Sequence, residues 1–84
     1  MNILKKALVT VNIEGVKGGH ELEIPLEISV KEICASLSKA LKIEEKNIKI
    51  SGYYIKTENP TCFLKGNDIL MKYNIANGTT IILI

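Results

Sequence analysis

The chain has 84 residues, a length that suits one small domain, and its 46% hydrophobic content excludes an intrinsically disordered protein. Its 11 basic residues, all of them lysine and scattered along the chain, stand against 9 acidic ones, and this even balance argues against a dedicated nucleic-acid-binding protein. No apolar run approaches the roughly 18 residues that span a bilayer, and residues 1–7 lack the pattern of a secretory signal, so we expect one cytoplasmic domain over residues 1–84 without membrane insertion.

The first predicted element is a β-hairpin. Residues 7–14 alternate between apolar and polar side chains in the period of a strand. A glycine-rich turn at residues 15–19 leads into a second alternating run at residues 20–26. Because Pro25 in this run has no N–H to donate to a ladder, we expect the second strand at an edge of the sheet.

A helix is predicted over residues 30–42, and its start is the most sharply specified local feature. Ser29 followed by Glu32 forms a capping box, in which each side chain bonds the backbone N–H of the other residue. Apolar residues then recur at helical spacing and form one face. That face comprises Val30, Ile33, Cys34, Leu37, Ala40 and Leu41.

The second half of the chain is less regular. Residues 47–52 alternate and predict a short third strand. Residues 53–64 suit either a small hairpin or an irregular excursion, and residues 69–72 suit one short helical turn. Asn77-Gly78 signals a turn before the last run, residues 79–84, which is apolar on both faces.

These elements predict an α+β fold of two layers. One helix covers only one face of a sheet, so we expect a mixed sheet of four to five strands packed on one main helix. The last strand, apolar on both faces, belongs in the sheet interior. The simplest closure places it parallel to the first strand, with the helix in the crossover.

The motifs in the second half resemble ubiquitin. A Tyr-Asn-Ile triplet at residues 73–75 and its spacing to the apolar residues 81–83 are similar to the end of ubiquitin. Residues 48–52 match the pattern of ubiquitin's third strand, and Ser29 stands where ubiquitin's helix cap stands. The resemblance implies a ubiquitin-like β-grasp fold.

A closer similarity is to the small bacterial ubiquitin-like proteins YukD and EsaB. The shared segment is Leu-x-x-Tyr-x-Ile-x-x-Gly, formed here by Leu70, Tyr73, Ile75 and Gly78. These proteins are accessory components of type VII secretion in Gram-positive bacteria, and the resemblance covers roughly residues 7–84. The stretch from Gly52 to Pro60 departs from the family because it looks longer than the usual connection.

Candidate catalytic and ligand-binding residues are few, and we expect neither an enzyme nor a cofactor or metal site. His20, the only histidine, stands beside a turn, where an exposed structural role is favoured over general-base catalysis. Cys34 belongs to the apolar face of the helix, and nothing near Cys62 marks it as an activated thiol. One histidine and two separated cysteines do not make a metal site.

A protein-binding surface is the remaining candidate site. If Ile81 and Leu83 face the helix, the alternating neighbours point to the opposite face of the sheet. The residues expected on that face are Ile82, Ile84, Lys49, Thr10 and Asn12. Exposed apolar residues on a small domain often mark a partner site. The alternative is that the loop at residues 53–60, or a second copy of the chain in a homodimer, covers them.

By resemblance, the chain is a non-conjugating ubiquitin-like adaptor or accessory protein of type VII secretion. It would contact cytoplasmic parts of the membrane machinery. Covalent conjugation is not expected, because the sequence ends at Ile84 without the glycine pair that carries an activated carboxylate. Two alternatives stay open: a ubiquitin-like or sulfur-carrier protein that lacks its diglycine tail, and a small nucleic-acid-binding β-grasp module.

Overall fold

The structure is a computed structural model that describes residues 5–84. Residues 1–4 lie outside the described part, so the judgement on the N-terminal run and the prediction of one domain over residues 1–84 stay predictions. The elements in chain order are β1 (Lys6–Ile13), β2 (His20–Pro25), α1 (Val30–Ala40), β3 (Tyr54–Glu58), β4 (Cys62–Lys65), a 3₁₀ helix (Leu70–Tyr73) and β5 (Thr80–Leu83).

The five strands form one mixed sheet in the order β2-β1-β5-β3-β4. β5 lies at its centre, parallel to β1 and antiparallel to β3, as its two apolar faces predict. β2 lies at one edge, where no further strand needs the backbone N–H that Pro25 lacks. One sheet with one main helix confirms the predicted α+β class, the central last strand and the edge position of the second strand.

Helix α1 begins at the predicted capping box. The N–H of Glu32 donates to Ser29 Oγ at 3.2 Å, and the N–H of Ser29 donates to Glu32 Oε1 at 3.1 Å. The helix ends at Ala40 rather than at residue 42, because Lys42 has a left-handed backbone with φ of 53°. Its predicted apolar face is buried except at Ala40, which is exposed.

The predicted third strand at residues 47–52 is wrong. The first and last residues, Asn47 and Gly52, have positive φ angles of 57° and 72°, which an extended strand does not accommodate, and the residues between them form no strand. One hydrogen bond, from the N–H of Ser51 to the C=O of Ile84 at 2.7 Å, joins this segment to the end of β5. The third strand is instead Tyr54–Glu58.

Of the two alternatives for residues 53–64, the structure shows the hairpin and not the irregular excursion. β3 pairs antiparallel with β4, from Tyr54 opposite Lys65 to Thr57 opposite Cys62. The stretch from Gly52 to Pro60, expected to be a long connection, contains β3 itself. The strand beside β5 therefore consists of residues 54–58 and not of residues 47–52, so different side chains flank β5.

The core between α1 and the sheet is aliphatic. None of the four aromatic residues of the chain is buried. The fully or nearly fully buried hydrophobic side chains are Ala7, Val9, Val11, Ile13, Ile24, Leu26, Val30, Ile33, Cys34, Leu37, Leu41, Ile43, Ile55, Leu64, Leu70, Ile75, Ile81 and Leu83. The domain therefore folds around branched aliphatic side chains, and its rings remain outside the core.

Candidate protein-docking surface

Strand β5 divides its side chains between the two faces of the sheet. Ile81 and Leu83 are 0% exposed and face the core. Ile82 and Ile84 alternate with them and are half-buried on the opposite side, which we call the outer face. The expected division of the last strand between a core face and an opposite face is confirmed.

Strand pairing identifies the neighbours of Ile82 on the outer face. Asn12 lies beside it in β1, and Lys56 lies beside it in β3. Thr10 lies two residues before Asn12 in β1, on the same face and opposite Thr80. The structure thus brings Thr10 and Asn12 next to the apolar side chains of β5, as expected, whereas their use in binding stays a prediction.

Lys49 does not occupy the expected position. It is exposed in the irregular segment before β3 rather than in a strand that flanks β5. The lysine that pairs with Ile82 is Lys56. The expected placement of Lys49 in the sheet is wrong for the same reason as the third strand, because the segment between the left-handed residues Asn47 and Gly52 forms no strand ladder.

Exposed aromatic side chains extend the outer face toward β4. Tyr54 is 38% exposed and Phe63 is 59% exposed, and their rings stack at 5.5 Å with an interplanar angle of 23°. Tyr53 meets Tyr54 edge-on at 5.0 Å. Sequence reasoning missed these rings because it left the segment without a register, and only a correct strand assignment shows that Tyr54 and Phe63 share a face.

Charges on the outer face are paired at two places. Lys56 Nζ lies 3.6 Å from Glu14 Oε1, and Lys6 Nζ lies 3.9 Å from Glu23 Oε1. All four side chains are at least half exposed, so solvent screens both pairs and each adds little to stability. The pairs therefore set the charge pattern that a partner meets rather than holding the fold together.

The remaining titratable candidates do not converge on one site. His20 is exposed on β2, and Cys34 is buried in α1, where burial raises the pKa of its thiol. Cys62 is half-buried opposite Thr57. Within residues 5–84, no group of three or more histidine, cysteine or acidic side chains is arranged to hold a metal ion.

A second feature of this region is the hydrogen bond from the Tyr73 hydroxyl to Asp68 Oδ1 at 3.2 Å. This bond, together with the negative charge of Asp68, raises the pKa of Tyr73. Asp68 also binds the backbone of β4, so the contact serves the local structure.

Across residues 5–84, no helix has the length and apolarity that crossing a membrane requires.

Solved structures show that the fold is ubiquitin-like. The C-terminal ubiquitin-like domain of mouse tubulin-specific chaperone e matches with a TM-score of 0.70 and 14% identity, over 99% of this chain and 89% of that chain. The ubiquitin of Caldiarchaeum subterraneum matches with a TM-score of 0.61 and 16% identity, over 94% of this chain and 91% of that one. At such identities the likeness establishes the fold alone, and it confirms the expected β-grasp.

The ubiquitin-like domain of Plasmodium falciparum Dsk2 also matches, with a TM-score of 0.56 and 18% identity, over 95% of this chain and 100% of that chain. No curated protein matches the sequence significantly. The family model described as "WXG100 protein secretion system (Wss), protein YukD" matches residues 8–83, which is nearly the whole chain. The chain therefore belongs to the YukD family of ubiquitin-like proteins associated with the WXG100 secretion system.

Proposed function

We propose that the protein is a cytoplasmic adaptor of type VII secretion that acts through non-covalent contact rather than through catalysis or conjugation. The observation that carries the proposal is the apolar outer face of the sheet. Ile82 and Ile84 lie at its centre, and large exposed side chains from β1, β3 and β4 lie on the same face. Membership of a secretion-system family supports a partner among the cytoplasmic parts of that machinery.

The chemistry of the face supports contact with a protein. Leu8 in β1 is 49% exposed, and Phe63 at the far edge is 59% exposed, so apolar area extends across the sheet. Thr10 and Asn12 supply short polar side chains between these two residues. An apolar centre with polar groups around it is the usual composition of a protein interface. Lys49 stays in the proposal as an exposed charge in the segment before β3.

The first experiment deletes the gene and measures export of the small helical substrates of the secretion system. Complementation then compares wild type with Ile82→Asp, Ile82→Thr and Ala35→Asp. Ile82→Asp places a charge at the centre of the outer face, whereas Ala35→Asp makes the same charge change on the exposed side of α1. We expect export to fail with Ile82→Asp, to fall with Ile82→Thr and to persist with Ala35→Asp.

A pull-down of membrane components with the same variants identifies the partner. Circular dichroism of each purified variant distinguishes loss of binding from loss of folding. Because threonine is favoured in strands, we expect the Ile82→Thr protein to stay folded and to serve as the reference. Normal export in the deletion strain, or loss of export only in variants that unfold, would contradict the proposal. Intact-mass analysis of the protein from cells tests the carrier alternative, because a covalent adduct at the C-terminus would favour it.

A further inference from the structure

The chain places all its aromatic residues at the surface, and most of them at one spot. It has three tyrosines, one phenylalanine and no tryptophan. Tyr53, Tyr54 and Phe63 form one contiguous cluster of rings at the β3–β4 side of the sheet. These rings lie outside the buried aliphatic core, and exposed aromatic clusters are typical anchors of binding interfaces.

Tyr54, Phe63 and two lysines alternate on the outer face. Tyr54 lies directly across from Lys65, and Lys56 lies directly across from Phe63. Because directly opposed residues of antiparallel strands share a face, the two rings lie on one diagonal and the two lysines on the other. A surface of this kind offers apolar contact and positive charge within one short span.

The position of Tyr53 is fixed by its neighbours. The N–H groups of Tyr53 and Tyr54 both donate to Ser51 Oγ, at 3.2 and 3.1 Å. The Tyr53 ring packs over the backbone of Gly66, where any Cβ would overlap the ring. The aromatic cluster is therefore largely preorganised, which lowers the entropy lost when a partner binds.

The outer edge of β4 is partly closed to an added strand. The N–H of Lys65 donates to Asp68 Oδ2 at 2.9 Å, and the C=O of Lys65 accepts from the N–H of Asp68 at 2.8 Å. Both backbone groups of Lys65 are therefore occupied, so an added strand could not pair with β4 at that residue.

The neighbouring charges favour an acidic ligand and show what it must displace. Lys65 and Lys56 flank the rings, and Lys56 is engaged by Glu14 at 3.6 Å. An acidic group on the partner can replace this exposed carboxylate at small energetic cost. A nucleic acid is less suited, because the chain contains no arginine, the side chain that contacts phosphate groups bidentately.

We propose that Tyr53, Tyr54, Phe63, Lys56 and Lys65, the β3–β4 aromatic patch, bind a protein segment that carries apolar side chains next to aspartate or glutamate. The inference rests on the proposed docking function and names the chemistry of its partner. Ile82, Lys56 and Phe63 line one open depression of about 370 Å³, so the patch is continuous with the centre of the outer face. Glu14 acts as an internal competitor for Lys56.

The probe is a phage library of random dodecapeptides selected on the purified wild-type protein. We expect enriched peptides to combine apolar residues with aspartate or glutamate, and to perturb the amide resonances of the patch in NMR spectra. For one such synthetic peptide, Phe63→Ala should weaken the dissociation constant about tenfold or more. Glu14→Gln should tighten it by about two- to fivefold, because Lys56 loses its competitor.

Lys6→Gln is the matched control, because it removes a half-exposed lysine of the other ion pair on the same face. It should leave the dissociation constant within about twofold. Tyr54→Thr, with a strand-favouring replacement, repeats the test if Phe63→Ala proves unstable. Peptides that are basic or uncharged, peptides that map elsewhere, failure to enrich any peptide, or tighter binding of an oligothymidylate would each overturn the inference.

These outcomes are separable from those of the proposed function. Once Phe63→Ala joins the complementation set, export that depends on Ile82 but not on Phe63 would retain docking at the outer face and reject the aromatic patch. Export that is normal in the deletion strain would reject the secretion role, while peptide selection would still decide the ligand chemistry. The two experiments therefore fail independently.

Discussion

Thr79 joins the turn of the β3–β4 hairpin to the entry of β5, and its substitution tests how the hairpin is held against the sheet. Its side chain is fully buried. Thr79 Oγ1 donates to the C=O of Asn59 at 2.7 Å and accepts from the N–H of Ala76 at 3.1 Å. Thr79→Val preserves the shape of the side chain but removes both hydrogen bonds.

The expected loss follows from the two backbone groups left without a partner. A buried polar group without a hydrogen bond costs about 1–3 kcal/mol. Because Asn59 and Ala76 are exposed residues that water partly reaches, the low end applies to each, and the total is about 2 kcal/mol. For a domain of this length, such a loss lowers the Tm by roughly 8–16 °C.

Urea unfolding monitored by far-ultraviolet circular dichroism measures the free energy of unfolding of wild type, Thr79→Val and a control variant. Thr79→Ser is the control, because it keeps the hydroxyl and loses one methyl group, at a cost of about 1 kcal/mol. Thr79→Val should therefore be the less stable of the two. A Thr79→Val protein as stable as wild type, or more stable than Thr79→Ser, would refute the role assigned to the hydroxyl.

Three further predictions concern the helix cap and the thiols. Ser29→Ala should lower the free energy of unfolding by about 1 kcal/mol, measured by urea titration at neutral pH. Hydrogen bonds from the Ser29 backbone and hydroxyl lower the pKa of the Glu32 carboxyl. The stability that Glu32 contributes is therefore fully present above the unperturbed pKa of 4.5. It is lost as the pH falls through the lower pKa of the folded state. Acid unfolding curves of wild type and Glu32→Gln should therefore converge below that window, and parallel curves would contradict the assignment. In thiol labelling followed by peptide mass mapping, half-buried Cys62 should react before Cys34, whose burial also raises its pKa; faster labelling of Cys34 in the folded protein would exclude its core position.

The two sides of β5 differ in what folding requires of them. Ile81 and Leu83 are fully buried, so β5 must be apolar on its inner side. The opposite side of β5 has no such requirement, yet it carries Ile82 and Ile84. Solvent-exposed strands usually alternate with polar residues. The departure from that alternation on β5, continued by the rings of β3 and β4, is the main support for a docking role.

Local patterns in the sequence determined several parts of this protein. The first hairpin, the capped helix and the two faces of β5 each follow from residues close together in the chain. Ser29 and Glu32, for example, satisfy each other's backbone N–H groups within a single helical turn. The edge position of β2 also followed from one residue, because Pro25 lacks the N–H that a central strand must donate. Such features need no information about distant partners.

Tertiary structure alone decided which segment pairs with β5 on the side away from β1. Residues 48–50 alternate in the strand period, but they lie between left-handed residues at Asn47 and Gly52 and form no strand. The strand that pairs with β5 has a buried threonine, Thr57, whose hydroxyl bonds the C=O of Pro60 at 2.6 Å, so its hydrophobic alternation is weak in the sequence. Long-range pairing with β5 compensates for that weak local signal. This pairing is what places Lys56 rather than Lys49 beside Ile82, and it brings Tyr54 and Phe63 together on the outer face.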